Sequence, residues 1–314
     1  MPAYNAGMYI KESIDSVLRQ SYHKFELLII NDGSTDNTKS ILDDYVDSRI
    51  RIIHTTNRGQ SAAANLAYKY SKGDYIKFFD ADDLLSEDFL KSQLQQVIGK
   101  DDVIASASWG RFYNDDIETF KLDQESVWRN MAPIDWLKES LRSGHNMMQC
   151  ALWLIPRKII STAGLWNEKL NLINDFEFFI RILLASNKIL FCENAILYYR
   201  SGLSNSLSGK KTDDALNSAY ISTKLGMEAL IRFEDSYITR KLAANQFQHL
   251  MFQLYPVNLP LFRLCASEIK KLGKPDVKMN AGGITKIMNV LIGWKWTNLI
   301  KYYLKKEYLK YRTN

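Results

Sequence analysis

An apolar stretch that runs straight into three carboxylates, Tyr75-Ile-Lys-Phe-Phe-Asp-Ala-Asp-Asp83, constrains this chain more than any other feature. Its first half has the makings of a buried strand, and unpaired negative charges cannot follow that strand inside without a large desolvation cost. The chain must therefore leave the sheet at Asp80. Side chains of an extended chain alternate faces, so Asp80 and Asp82 project the same way and can share one hard cation with a phosphate-bearing ligand. The competing reading is an acidic turn or a helix N-cap, a role that suits Asp83.

The surrounding hundred residues alternate helical and strand patterns. Ile10, Ile14, Val17 and Leu18 share a helical face, and the apolar run in Phe25–Ile30 is the short kind found in strands covered on both sides. Ser34-Thr35-Asp36 predicts a cap for a helix carrying Ile41, Leu42 and Tyr45, with a strand following over Ile50–His54. Asn57 and Gly59 mark a turn into an alanine-rich helix, Ser61–Tyr70, and Gly73 precedes a strand over Tyr75–Phe79. This repetition predicts an α/β fold: right-handed crossovers and a mostly parallel sheet flanked by helices. Ligands of such sheets sit beyond the carboxyl ends of the strands, where Asn31-Asp32 and Asp80–Asp83 both fall. The opening Met1-Pro-Ala-Tyr-Asn5 reads as a loop where a central strand belongs. The expectation is that the first strand is missing or that the start lies inside a longer frame.

Later in the chain, Val103–Ser108 and Gln149–Ile155 predict strands, and Pro133–Leu141 and Asp175–Ala185 predict helices. Lys188–Tyr199 reads as a strand pair or one long irregular strand. Beyond Ser208 the pattern is mainly helical up to Arg312, with breaks around Tyr255–Pro260 and Gly273–Gly283.

Charge separates these regions. Residues 210–314 hold 18 Lys and Arg against 8 Asp and Glu, a net +10, which leaves −4 for residues 1–209. Cys150, Cys192 and Cys265 lie far apart and are odd in number, which suits buried thiols in a reducing compartment. Neither a signal-peptide pattern nor a run of about 18 apolar residues occurs, so a cytoplasmic protein is expected. His23, His54, His145 and His249 show no metal-ligand spacing.

Four motifs stand in order within the first 83 residues: Met1-Pro-Ala-Tyr-Asn5; Ile30-Asn-Asp-Gly-Ser-Thr-Asp36; Asn57-Arg-Gly59 with Ala63-Ala-Asn65; and Gly73-Asp-Tyr-Ile-Lys-Phe-Phe-Asp-Ala-Asp-Asp83. Together they resemble the signature of the family-2 glycosyltransferases with the Rossmann-like GT-A nucleotide-sugar fold. The resemblance covers residues 1–208, with a donor half over about 1–100 and an acceptor half over about 101–208. Residues 209–314 form a basic helical extension. It implies inverting transfer from a UDP-, GDP- or dTDP-sugar, with Mn²⁺ or Mg²⁺ held by the acidic motif. A cation there stabilises a departing diphosphate without proton transfer.

Carried over residue by residue, the resemblance makes Asp82 the metal ligand. Asp80 meets the cation or the ribose, and Ala81 lies along the donor between them. Asn31 and Asp32 would hydrogen-bond the base, and Pro2, Ala3 and Tyr4 would line its pocket, Tyr4 by stacking. Asn65 belongs to the donor site, but Ala64 stands where the family has arginine. A cationic contact near the diphosphate is then absent, or supplied by Arg58 or Lys77.

Asp175, after Leu165-Trp-Asn-Glu168, resembles the family's catalytic base, with Asn174 in place of the usual glutamate. Its competing reading is an N-cap. Tyr199-Arg200 and Ser204-Asn-Ser-Leu-Ser208 resemble the end of the catalytic region, where Arg200 either approaches the diphosphate or makes an exposed salt bridge. The Gln-x-x-Arg-Trp element of processive members is absent from the sequence, which points to single addition. The acceptor expected is a hydroxyl of a glycan or lipid-linked molecule in cell-surface polysaccharide synthesis. The alternatives are a non-catalytic sugar-nucleotide-binding or scaffold protein, or a sugar nucleotidyltransferase. The latter needs a Gly-rich loop near its start, where this chain has only Gly7.

Trp153 and Trp166 read either as sugar-stacking rings or as core. In the tail, Trp294-Lys-Trp296, Tyr302-Tyr303 and Lys305-Lys306 alternate rings with cations, and Leu299, Ile300, Tyr303 and Leu304 can share a face. Residues 286–312 therefore suit an anionic membrane surface, on the inner face of the membrane, rather than nucleic acid. The competing reading is a helix packed on the body with a solvated basic face.

Overall fold

The computed structural model describes residues 1–144, 147–203 and 212–313, with side chains through residue 305. The chain forms two compact units: Met1–Glu139 with Met148–Lys210, and Ser140–Met147 with Lys211–Asn314.

The first unit begins with β1 (Pro2–Ala3), α1 (Ile10–Leu18), β2 (Leu27–Asp32), α2 (Thr38–Asp43), β3 (Ile50–Thr55) and α3 (Gln60–Tyr70). The three strands form a parallel sheet in the order β1-β2-β3. All six residues of β2 are buried, as its uninterrupted apolar run requires. Ala63 and Ala67 of α3 pack on Leu28 and Ile30, joined by Ile53 and Leu66. The expected opening loop needs correcting, because Pro2 and Ala3 pair in register with Ile30 and Asn31 as a strand. Two residues are too few to show a period-2 pattern.

Next come β4 (Tyr75–Ile76), β5 (Leu84–Leu85), α4 (Phe89–Val97), β6 (Val103–Tyr113), β7 (Asp116–Leu122) and α5 (Pro133–Ser140). The unit ends with β8 (Ile155–Pro156), α6 (Arg157–Ala163), α7 (Asn174–Leu184) and β9 (Lys188–Ser201). The predicted strand Tyr75–Phe79 shrinks to β4, which pairs antiparallel with β8 and not with the parallel three. Its remaining residues Phe78 and Phe79 stay buried while the backbone turns out toward Asp80. Lys188–Tyr199 proves to be one strand, parallel to β6, with a register irregularity between Ala107 and Ser108. It is the second strand of a sheet ordered β5-β9-β6-β7.

The strand expected over Gln149–Ile155 is mostly a 3₁₀ turn, Cys150–Leu152. Gln149 accepts the Ala151 N–H at 2.6 Å, a side-chain bond that competes with strand pairing. Trp153 and Trp166 are 1 % and 6 % exposed, so packing and not sugar stacking occupies them. Trp166 stacks on Phe178 with centroids 4.0 Å apart, and Trp153 lies 5.8 Å from Phe179.

The second unit is helical: α8 (Asp213–Phe233), α9 (Tyr237–Leu254), α10 (Leu259–Leu272) and α11 (Gly283–Thr313). Thr212, Ser236 and Asn258 cap the first three by accepting backbone N–H groups. Gly293 breaks α11 with φ 78° and ψ 160°. Among the described residues no helix is long and apolar enough to cross a membrane.

Candidate active site

The acidic segment leaves β4 as the first residues predict, and two glutamine amides organise it. Asp80 accepts from Gln60 Nε2 at 2.9 Å and from Gln149 Nε2 at 3.1 Å. The same Gln149 amide donates to Asp83 at 2.7 Å. Asp83 also accepts the Arg200 backbone N–H at 2.9 Å and is fully buried, so it is neither a turn residue nor an N-cap. Asp82 lies between them, half-buried.

Asp175 sits in the first turn of α7. The cap position belongs to Ile173, held at φ 56°, so the N-cap reading of Asp175 fails. Its neighbour Asn174 donates to Ser61 Oγ at 3.1 Å. Burial and then the charge of Asp80 push the Asp175 carboxyl well above the usual range. Burial likewise raises Asp80, and burial followed by Asp80 raises Asp82 to about 7. Asp83 is pushed well up by burial, Asp82 and Asp80. Against these charges stands Arg200, near Asp82 and Asp83.

This excess of oxygen donors and negative charge fits a hard divalent cation. Among the described residues no three His, Cys, Asp or Glu side chains converge on one metal position. A cation at Asp80 and Asp82 would therefore complete its shell from ligand oxygens and water, as Mg²⁺ commonly does beside phosphates.

The other anticipated residues divide into lining and bracing groups. Pro2, Gln60, Ala64, Asp80, Cys150 and Asn174 are among the residues around a cavity of about 10 Å³. Tyr4 is 51 % exposed, leaving its ring available for stacking, whereas Ala3 and Ala81 are buried. Arg58 keeps an exposed guanidinium, 3.4 Å from Glu168.

Five anticipated residues have partners within the chain. Asp32 is buried and its oxygens accept the N–H groups of Arg58 at 2.8 Å and Gly59 at 2.7 Å, fixing the turn into α3. Asn31 is buried too, engaged with His54 Nδ1 at 3.0 Å and the Ser34 N–H at 3.2 Å. Asn65 binds the Trp166 carbonyl, the Trp166 N–H and Glu168 Oε1, each at 3.0 Å, and so ties α3 to the loop before α7.

Lys77 is no phosphate cation, since its Nζ donates to the carbonyls of Ala151 at 2.6 Å and Trp153 at 3.1 Å. Arg200 is neither exposed nor free: its side chain is 1 % accessible. It donates to the Asp82 carbonyl and to Glu12 at 2.7 Å each, pairs with Asp115, and lies between Tyr9 and Phe112. The Ser204–Ser208 loop and His145 lie outside the described residues.

Gln60 and Gln149 escaped the sequence reading. An amide carries no signal of its role until a fold sets a carboxylate opposite it.

A three-stranded parallel sheet flanked by helices, in a chain whose acidic segment couples electrostatically to Asp175, is an architecture shared with the GT-A fold. The profile of glycosyl transferase family 2 matches residues 1–164, and the chain belongs to that family. It is therefore a glycosyltransferase by family, which sets aside the nucleotidyltransferase alternative.

An uncharacterized glycosyltransferase of Haemophilus influenzae is 32 % identical over 234 residues, covering 72 % of this chain and 88 % of that protein. Glycosyltransferase GlyG of Streptococcus pneumoniae is 38 % identical over 119 residues, 37 % of this chain and 38 % of GlyG. The E. coli UDP-Glc:alpha-D-GlcNAc-diphosphoundecaprenol beta-1,3-glucosyltransferase WfgD is 41 % identical over 101 residues, 31 % of this chain and 39 % of WfgD. The chain thus matches well under two thirds of GlyG and WfgD.

The fold resembles that of S. aureus TarS in complex with UDP-GlcNAc, with a TM-score of 0.66 at 16 % identity over 87 % of this chain and 80 % of that one. It also resembles the mannosyltransferase PcManGT of Pyrobaculum calidifontis in complex with GDP-Man and Mn²⁺. There the TM-score is 0.56 at 16 % identity, over 96 % and 83 % of the two chains.

Proposed function

We propose that the chain moves one sugar from a nucleotide-sugar donor onto a hydroxyl of a glycan or lipid-linked acceptor, with inversion, in polysaccharide synthesis. The observation that carries this reading is that Asp80 lies within electrostatic reach of both Asp82 and Asp175. The nucleotide sugars bound by TarS and PcManGT, and the lipid-diphosphate acceptor in the name of WfgD, support the choice of substrates.

Asp80 and Asp82 would hold a divalent cation, which when bound supplies positive charge where the diphosphate leaves. Tyr4 stacks on the base and Arg58 is the exposed cation near the donor. The acceptor oxygen forms its bond to the anomeric carbon as the bond to the diphosphate oxygen breaks, with the electron pair leaving on the nucleoside diphosphate. The acceptor's proton passes to the Asp175 carboxylate. A buried carboxyl with a raised pKa is a stronger base than an exposed one, which suits that task.

Asp175→Asn is expected to lower kcat by roughly 10²- to 10⁴-fold while leaving donor binding intact. Turnover of a UDP- or GDP-sugar with Mn²⁺, measured beside thermal-shift titration of the same donor, checks this. Undiminished turnover removes Asp175 as the base.

A further inference from the structure

Helix α11 is docked along one side only. Trp294 packs against Phe252 at 4.9 Å and Tyr255 at 5.9 Å, Thr297 is fully buried, and Asn298 donates to the Phe252 carbonyl at 2.8 Å. At 100° per residue these three share a face. The opposite face carries Trp296, Ile300 and Tyr303, which are 62 %, 37 % and 55 % exposed. Ile292, Trp296 and Ile300 line an open groove there. Ahead of the break at Gly293, Ile284, Ile287 and Leu291 repeat at helical spacing, all exposed, beside an exposed Val290.

The sequence left two alternatives, a lipid-bound helix or a packed one with a solvated basic face. The structure combines parts of both, since the helix is packed yet its outer face is apolar. Scattered apolar residues on a surface need no explanation, but a stripe along both segments of one helix does.

Charge decides what covers it. Every charged residue between 283 and 305 is a lysine, at positions 286, 295, 301 and 305. A second copy would set one strongly basic tail against another, whereas an anionic bilayer complements it. Lys301 and Lys305 lie off the apolar stripe, but a helix is about 10 Å across, close to the Debye length at ~0.1 M salt. They still sense the lipid charge from its far side. Trp and Tyr rings suit the headgroup level.

We propose that α11 rests on an anionic lipid surface, with Ile284, Ile287, Val290, Leu291, Trp296 and Ile300 inserted at the headgroup boundary. The full chain should sediment with vesicles of phosphatidylcholine and phosphatidylglycerol at 70:30. Binding should be at least tenfold weaker to pure phosphatidylcholine and should fall as salt is raised. The triple variant Val290→Asp, Leu291→Asp, Trp296→Ala should bind at least tenfold more weakly. Its substitutions are all at exposed positions, so an unchanged circular-dichroism melting curve verifies the fold. The proposal is overturned if the unmodified chain stays in the supernatant with 70:30 vesicles, or if the folded variant pellets equally well. A dimer seen by light scattering without lipid binding, and abolished in the variant, assigns the face to a second copy and also overturns it.

Discussion

Arg200 shows how far a residue's role depends on neighbours remote in the chain. Its guanidinium reaches Glu12, 188 positions away, and the Asp82 carbonyl, 118 positions away, so no local pattern announces that it braces the acidic loop. Asp80 and Asp82 do not sit in the extended strand that side-chain alternation assumes, because the strand ends at Ile76 and Ala81 and Asp82 form a turn. Asn65, Asp32 and Lys77 share with Arg200 partners remote in sequence, which no local motif announces.

Lys77 also sets a pH dependence. Burial holds its pKa down to about 7, from 10.5. Between those values the unfolded chain keeps the proton that the folded one releases, so stability rises with pH from 7 toward 10. Urea titrations at pH 7 and pH 9 should differ by on the order of 2 kcal/mol from this residue. Lys77→Met should remove that increment. An unmodified protein whose stability is flat over this range would contradict the buried neutral lysine.

Among the elements, the β6–β7 hairpin was half visible. Val103–Ser108 announced β6, but β7, with its exposed and mixed residues, carried no clean alternation. The hairpin matters because its turn delivers Asp115 to Arg200. Gly110 permits the pairing: a Cβ there would stand 2.1 Å from the Lys121 carbonyl. That is backbone, which cannot swing aside as a side chain can. Gly110→Ala should therefore cost about 1–3 kcal/mol in chemical denaturation and loosen the hold on Arg200. A variant of unchanged stability would show that β7 is not bound as described.

The Gln149–Ile155 strand failed at the same scale. Its apolar residues are buried, but Gln149 turns the chain by capping it, and burial alone does not distinguish a strand from a turn.

At the scale of the molecule, the two ends of the charge distribution have separate tasks. The acidic first unit gathers the carboxylates Asp80, Asp82 and Asp83, and the basic second unit carries the exposed face of α11. If Asp80 and Asp82 hold Mn²⁺ together with a nucleotide, the pair should stabilise the protein by about 2.7 kcal/mol at a hundredfold excess over Kd. Differential scanning fluorimetry with UDP or GDP should show the melting temperature rise with Mn²⁺ and return with EDTA. Asp82→Asn should abolish the metal-dependent part. A rise that persists in EDTA at full size would exclude a cation from nucleotide binding.

The alternation of helices and strands in the first hundred residues could be read from the chain because it depends on spacing within about four residues, and steric and hydrogen-bonding rules act at that range. Contact across a hundred residues obeys no such short-range rule. Which amides steady the acidic loop, which polar motif residues are walled in, and which face of α11 is left bare became definite only when folding chose every side chain's neighbours. Burial and electrostatic environment belong to that packing and not to the residue type.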